Sequence, residues 1–302
     1  MDVLKRNVNI QETVYMVKII EKNKWNIYFG AIIILLAIFT IEDLPISKAI
    51  YNKDSLWGNF FDVFGSYPAF ILGFTGASIL FRVRNIKNIV NNIIVGLFTI
   101  VFAVLNGFTI WFFVVSILFY HENLEGSMIT YAWVFAVSLT VVSQVFLYKI
   151  PEEKVLKYKR AALITVLLVL TEIISVNIFK VYWGRVRFRD ILDDFSKFTP
   201  WYLLQGNTGN TSFPSGHTAE AWTIIVLTLF VSKEKIKLYR FALIAAIVWG
   251  TLVAISRVVI GAHFASDVTV GAAITIGIFF LLKLIIKDIN IINNKIIQDA
   301  II

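Results

Sequence analysis

The run AALITVLLVLTEIISVNIF, residues 161–179, decides the fold. As an α-helix its nineteen residues rise about 28 Å, close to the roughly 30 Å hydrocarbon core of a bilayer. Its one ionisable residue is Glu172, and it ends on Lys180, Tyr182 and Trp183, a basic and aromatic set suited to a membrane interface. Outward from it lie similar apolar runs at residues 25–41, 65–81, 93–120, 128–148, 218–231, 241–260 and 268–286. The reading is an all-α, polytopic transmembrane helical bundle with about eight candidate spans. Residues 218–231 are short for a crossing and gain length if their helix begins at Ser215.

Composition agrees. Hydrophobic residues make up 58% of the 302, aromatic residues 15% and charged residues only 16%, so lipid is the expected solvent. There is no cysteine, which excludes a disulfide framework, a thiolate nucleophile and Cys-based metal sites. The net charge of +8 would suggest nucleic acid in a soluble chain, but in a membrane protein basic residues flank the spans, and no nucleic-acid partner is expected. Residues 1–24 are polar and basic without cleavable-signal character, so residues 25–41 read as a span that stays attached. Residues 42–65, where Tyr51, Trp57, Phe60 and Phe61 alternate with polar residues, read as an interfacial segment along the surface. No repeat, linker or second domain is visible, and residues 1–302 are read as one integral membrane unit.

Charge placement orients the bundle. With the N-terminus in the cytoplasm, inner segments hold nineteen basic residues and outer segments seven. Both termini are therefore expected inside. Five of the outer seven, Lys180, Arg185, Arg187, Arg189 and Lys197, crowd into residues 180–217, which topology alone does not explain. Arg257 and Lys283 fall within spans, and Lys283 is placed to snorkel to the inner interface.

That basic segment leads to Phe213-Pro214-Ser215-Gly216-His217. A helix starting there would offer the N–H groups of Ser215 and Gly216 at its positive end as an anion cradle, with His217 beside it. Alone, the stretch reads equally as an ordinary capped helix start with a solvent-facing histidine. Lys180 and Arg187 alone read as a snorkelling pair. On the far side, Ser256 and Arg257 end a span, and His263 and Asp267 follow at a spacing that lets a carboxylate reach an imidazole N–H. Alone, this is a polar hairpin with a satisfied histidine.

Together, Lys180-x6-Arg187, Pro214-Ser215-Gly216-His217 and Ser256-Arg257-x5-His263-x3-Asp267 resemble, in order and spacing, the three signature motifs of the type 2 phosphatidic acid phosphatase superfamily. Gly184-Arg185-x-Arg187 extends the likeness. Phe188 departs from it, standing where the family usually has proline after the first motif's arginine. The resemblance implies a six-span membrane core, here with extra spans, a catalytic core over residues 161–286, and a phosphatase. It implies that His263 is the nucleophile that forms a phosphohistidine, that Asp267 holds its tautomer, and that His217 is the general acid. Lys180, Arg187 and Arg257, with the N–H groups of Ser215 and Gly216, would bind the phosphoryl oxygens. No metal or other cofactor is then required. Of the other histidines only His121 remains, read as plain surface.

The functional expectation is a metal-independent lipid phosphate or diphosphate phosphatase in the cell membrane, its site at the outer face and its substrate a membrane lipid. A polyprenyl (undecaprenyl-type) diphosphate is the first choice, because Arg185 and Arg189 exceed the three motif cations, although Asp190, Asp193 and Asp194 in the same loop could neutralise them. Phosphatidate or phosphatidylglycerol phosphate is the alternative, followed by a lipid phosphotransferase or a soluble sugar-phosphate phosphatase. A transporter, from a different class, would be expected to place ionisable residues at mid-membrane in several spans. Glu220, one turn from His217, reads as a partner for that imidazole or for Lys180, or as a simple interfacial carboxylate. Glu172 has no evident partner, Asn106 being a guess, and Trp183, Trp201 and Tyr202 read as belt and loop packing.

Overall fold

A computed structural model describes residues 2–118, 126–232 and 234–286, with side chains over 25–112, 114–115, 128–232 and 234–286. His121, Lys233 and the tail from Lys287 lie outside the described residues. The described chain is helical: α1 (Asp2–Ile50), α2 (Leu56–Phe64), α3 (Tyr67–Arg82), α4 (Ile89–Leu118), α5 (Gly126–Tyr148), α6 (Glu152–Leu156), α7 (Lys159–Trp183), α8 (Gly216–Trp222), α9 (Leu227–Phe230), α10 (Ile236–Val259) and α11 (Ala265–Ile285).

Among the described residues, seven stretches are long and apolar enough to cross a membrane: Trp25–Ile50, Leu56–Arg82, Ile89–Phe112, Met128–Tyr148, Lys159–Asp190, Ile236–Val259 and Ala265–Ile285. The eighth candidate, the 218–231 run, is α8 and α9 joined through a 3₁₀ turn at Thr223–Val226. The protein is a multi-pass helical membrane bundle.

α7 is the hub. One side, with Val166 and Val169, packs on Phe74, Ala77 and Leu80 of α3. The other, with Ile164 and Leu168, packs on Ile225, Val226, Ala246 and Phe279. Since lipid tails are as apolar as these side chains, close packing and a few cross-helix hydrogen bonds must hold the bundle. One such bond runs from the Thr275 hydroxyl to the Ala219 carbonyl, 2.8 Å.

α1 runs antiparallel to α11, with Trp25 and Tyr28 against Phe280 at one end and Asp43 against Ser266 at the other. The sequence ends the first span near Ile41 and lays the following residues along the surface, whereas α1 continues to Ile50 and carries Asp43 into the interior. The helix persists because Asp43 finds buried partners there. Chain reversal at residues 51–55 then leads to α2, capped by Ser55 accepting the Gly58 N–H at 3.0 Å. α2 does not lie free: Phe61 packs with Ala221 and Val253, and the Trp249 indole donates to the Gly65 carbonyl at 3.1 Å.

Candidate active site

The candidate residues gather at one end of the bundle, where α7 and α10 finish and α8 and α11 begin. Each boundary has a local cause. α7 stops because Gly184 adopts the left-handed conformation (φ 53°), its N–H closing on the Lys180 carbonyl, and this turns the chain into the loop bearing Arg185 and Arg187. α8 starts at Ser215, whose hydroxyl caps the Thr218 N–H. α11 starts with Asp267 reaching back to the Phe264 N–H at 2.9 Å, the acid half of a capping box. α8 and α11 meet at Gly271, where a Cβ would lie 2.4 Å from the Ser215 carbonyl, so no other residue fits there without moving a helix.

His263, in the turn between α10 and α11, is almost wholly buried. Its Nδ1 lies 2.6 Å from the Ser212 carbonyl oxygen, which can only accept, so Nδ1 carries the proton and Nε2 the lone pair. The Asp267 carboxylate stands 3.7 Å from the same Nδ1. This modifies the role expected for Asp267: Ser212 supplies the direct bond that fixes the tautomer, and Asp267 adds its charge from just behind while binding the Ser212 hydroxyl at 2.6 Å. Burial pushes the His263 pKa down to about 4, further lowered by Arg257 and Lys180 and opposed by Asp267.

Behind His263 is a fully buried ionic network. Arg185 donates to Asp267 at 2.5 Å, to Asp43 at 3.0 Å, to the Ser266 hydroxyl and the Thr199 carbonyl at 2.8 Å, and lies over the Phe264 ring. Asp43 also accepts the Ser266 N–H at 2.8 Å and the Ser266 hydroxyl. One guanidinium with two carboxylates is tolerable in the interior only when the remaining lone pairs find donors, as these do. Arg185, read from sequence as a surplus cation facing substrate, is therefore corrected to a structural residue. The physical reason is that its side chain has no exposed surface and its donors are taken.

In front, the cations converge. A Cβ on Gly216 would lie 3.3 Å from Lys180 Nζ, so that ammonium hangs over the first turn of α8. Lys180, Arg187 and Arg257 are close enough to feel one another's charge. Arg187 bonds the Thr211 hydroxyl at 3.0 Å. Arg257 is buried, pairs with Asp62 of α2, and leaves its Nε without an acceptor among the described residues. Half of the expected backbone cradle is corrected: the Ser215 N–H donates to the Asp267 carbonyl at 3.0 Å and is unavailable to an anion. The first-turn N–H groups of Gly216 and His217 remain. His217, on α8, presents Nε2 to Asp62 at 3.8 Å. Glu220 feels Lys180 and Arg257 rather than bonding the imidazole, and buried Glu172 lies near both Glu220 and Lys180. Asn106, the guessed partner of Glu172, bonds the Phe102 carbonyl of its own helix.

Phe188 is buried against Phe264, Phe195 and Tyr51. It holds the loop after Arg187 by packing, next to the turn that carries His263. Trp183 stacks on Phe213 and donates to the Trp201 carbonyl, and the Trp201 indole in turn reaches Thr40 of α1. These aromatics pack the loop, as expected.

Sequence reasoning missed Ser212, Asp43 and Asp62. Ser212 acts partly through its main chain, which no side-chain pattern announces. For the two acids a signal existed: a carboxylate in an apolar or aromatic stretch is costly unless paired. Chemically, the arrangement offers a buried neutral imidazole with a free Nε2, a second imidazole at the mouth, and three cations around them.

Residues 161–291 match the family described as PAP2 superfamily. A phosphatidylglycerophosphatase B of Bacillus subtilis (strain 168) is 40% identical over 80 residues, covering 24% of this chain and 37% of that protein. The chain thus spans well under half the length of the relative it matches. No solved structure matches.

Proposed function

We propose that this protein, whose residues 161–291 match the PAP2 superfamily, is a membrane phosphatase that removes a phosphoryl group from a lipid through a phosphohistidine on His263. The observation that carries the proposal is the bond from His263 Nδ1 to the Ser212 carbonyl, which leaves Nε2 as the nucleophilic atom. In the first step the Nε2 lone pair forms the P–N bond as the bond from phosphorus to the leaving oxygen breaks, and His217 gives that oxygen its proton. Lys180, Arg187, Arg257 and the Gly216 N–H hold the phosphoryl oxygens as their charge redistributes. In the second step water attacks phosphorus, His217 takes the water's proton, the P–N bond breaks, and phosphate leaves with His263 restored. The positive charge of the site is built into the chain, so no metal is needed.

The substrate follows from position. The catalytic side chains lie at helix ends, at headgroup level, where a lipid can bring its phosphate while its tail stays between helices. The basic-residue bias supports a topology with that end outside the cell and both termini inside. Of the candidate lipids, polyprenyl diphosphate leaned on two surplus cations, and with Arg185 committed to Asp43 and Asp267 only Arg189 supports it. A lipid phosphomonoester such as phosphatidylglycerol phosphate is now favoured, in keeping with the activity named for the Bacillus subtilis relative. The test is kcat/KM of the purified protein, in one detergent, for phosphatidylglycerol phosphate, phosphatidate, polyprenyl diphosphate and glucose 6-phosphate. Preference for the sugar phosphate would overturn the lipid reading. Preference for the diphosphate would keep the mechanism and restore the polyprenyl choice. Adding an alcohol acceptor and analysing products separates hydrolysis from phosphotransfer.

A further inference from the structure

Asp62 lies outside the matched segment, on a helix with no part in the three motifs, yet its carboxylate stands in the site. One oxygen, Oδ1, both binds the Arg257 guanidinium and faces His217 Nε2 at 3.8 Å. The side chain is 40% exposed and so reachable from the mouth, while His217 is 36% exposed beside it. Its position is not a loop accident: buried Phe61, the preceding residue, is fixed against Ala221 of α8 and Val253 of α10, the two helices that bear His217 and Arg257.

Resting on the phosphatase reading above, we propose that Asp62 selects for substrates whose leaving group departs as an uncharged alcohol and against those whose leaving group is itself a phosphate. The leaving oxygen must come within hydrogen-bonding reach of His217 to collect its proton, and Asp62 borders that same nitrogen. In a phosphomonoester the oxygen takes the proton as the P–O bond breaks and leaves as a neutral alcohol, which can donate to the Asp62 carboxylate. In a diphosphate attacked at its terminal phosphorus, the leaving group is a phosphate monoester anion, and a carboxylate a few ångströms away repels it. A second effect acts in the same direction. The negative charge stabilises a proton on the adjacent imidazole, and a departing alkoxide needs that proton far more than a departing phosphate does.

A matched pair of probes isolates the effect: farnesyl monophosphate and farnesyl diphosphate share one tail and differ only in what leaves. The quantity to read is the ratio of kcat/KM for diphosphate over monophosphate, measured with the full-length protein in one detergent. Within a sample the ratio cancels the folded fraction, so a partly misfolded variant still reports. The wild type should favour the monophosphate. Asp62→Asn should raise the ratio by about tenfold or more, the effect of removing one nearby like charge, and Asp62→Glu should leave it near the wild-type value. Phosphate release with a ratio unmoved by Asp62→Asn would overturn the proposal, as would an equal rise in Asp62→Glu or a wild-type preference for diphosphate. Release from neither probe, with His263→Ala indistinguishable from wild type, would instead overturn the phosphatase reading and this inference with it.

Discussion

Ser212 joins the two halves of the support of His263, the proposed nucleophile, its carbonyl accepting from His263 and its hydroxyl donating to Asp267. Because that support is buried and complete, removing the imidazole should abolish chemistry without unfolding the bundle. His263→Ala is expected to lose all turnover while keeping its elution on gel filtration in detergent. His217→Ala differs in kind: with a leaving group of low pKa it should still transfer phosphate to His263 slowly, visible as labelled protein. The pH behaviour follows from the depressed imidazole. With the folded His263 pKa near 4 against 6.5 unfolded, the neutral nucleophile persists well into acid. The acid limb of kcat/KM should therefore fall well below pH 6.5, and a limb at 6.5 or above would count against His263 as the buried nucleophile. The sign for stability is the same: the unfolded chain binds the proton first, so heat resistance should be intact above pH 6.5 and decline as pH drops toward 4. At this scale the motif side chains were legible because chemistry restricts them to few residue types. Ser212 was not, since a backbone carbonyl belongs to every residue, and Arg185 was legible as a cation but not as a buried one.

At the scale of helices, hydropathy located the spans because lipid demands long apolar runs with satisfied backbones. It placed the end of α1 wrongly, since Glu42 and Asp43 look like an exit to water when the partners of Asp43 lie more than a hundred residues away. Contacts such as Gly271 on Ser215 were equally invisible, because a single small residue leaves no periodic trace. α1 reaches the candidate site through one carboxylate, Asp43. Asp43→Ala would strand part of the Arg185 charge in the interior, a loss of about 3 kcal/mol for breaking a buried pair. The expected result is a clearly lower thermal midpoint in detergent together with reduced kcat, since Arg185 also binds Asp267. A midpoint within a degree of wild type would mean that α1 is not held through this pair.

Over the whole molecule, the uneven distribution of basic residues among the loops and the gathering of the candidate site at one end support the proposed topology, with that end outside the cell. The absence of native cysteine lets single introduced ones test it. A cysteine at Ser196, in the loop beside the site, should react with an impermeant reagent on intact cells, while cysteines at Asn85 and Ser232 should react only after lysis. The opposite pattern would put the site inside. The carboxylates of α1 and α2 carry a further consequence, for inheritance rather than chemistry. The segment that relatives share contains every motif, but two of the acids its arginines bind are supplied by the other half of the chain. The shared segment is thus a lock cut for one key. Grafted behind the N-terminal helices of a relative, it would hold its three motifs and still leave Arg185 and Arg257 each short of a counter-ion. A chimera whose recipient helices lack these acids should recover only when Asp43 and Asp62 travel with the graft.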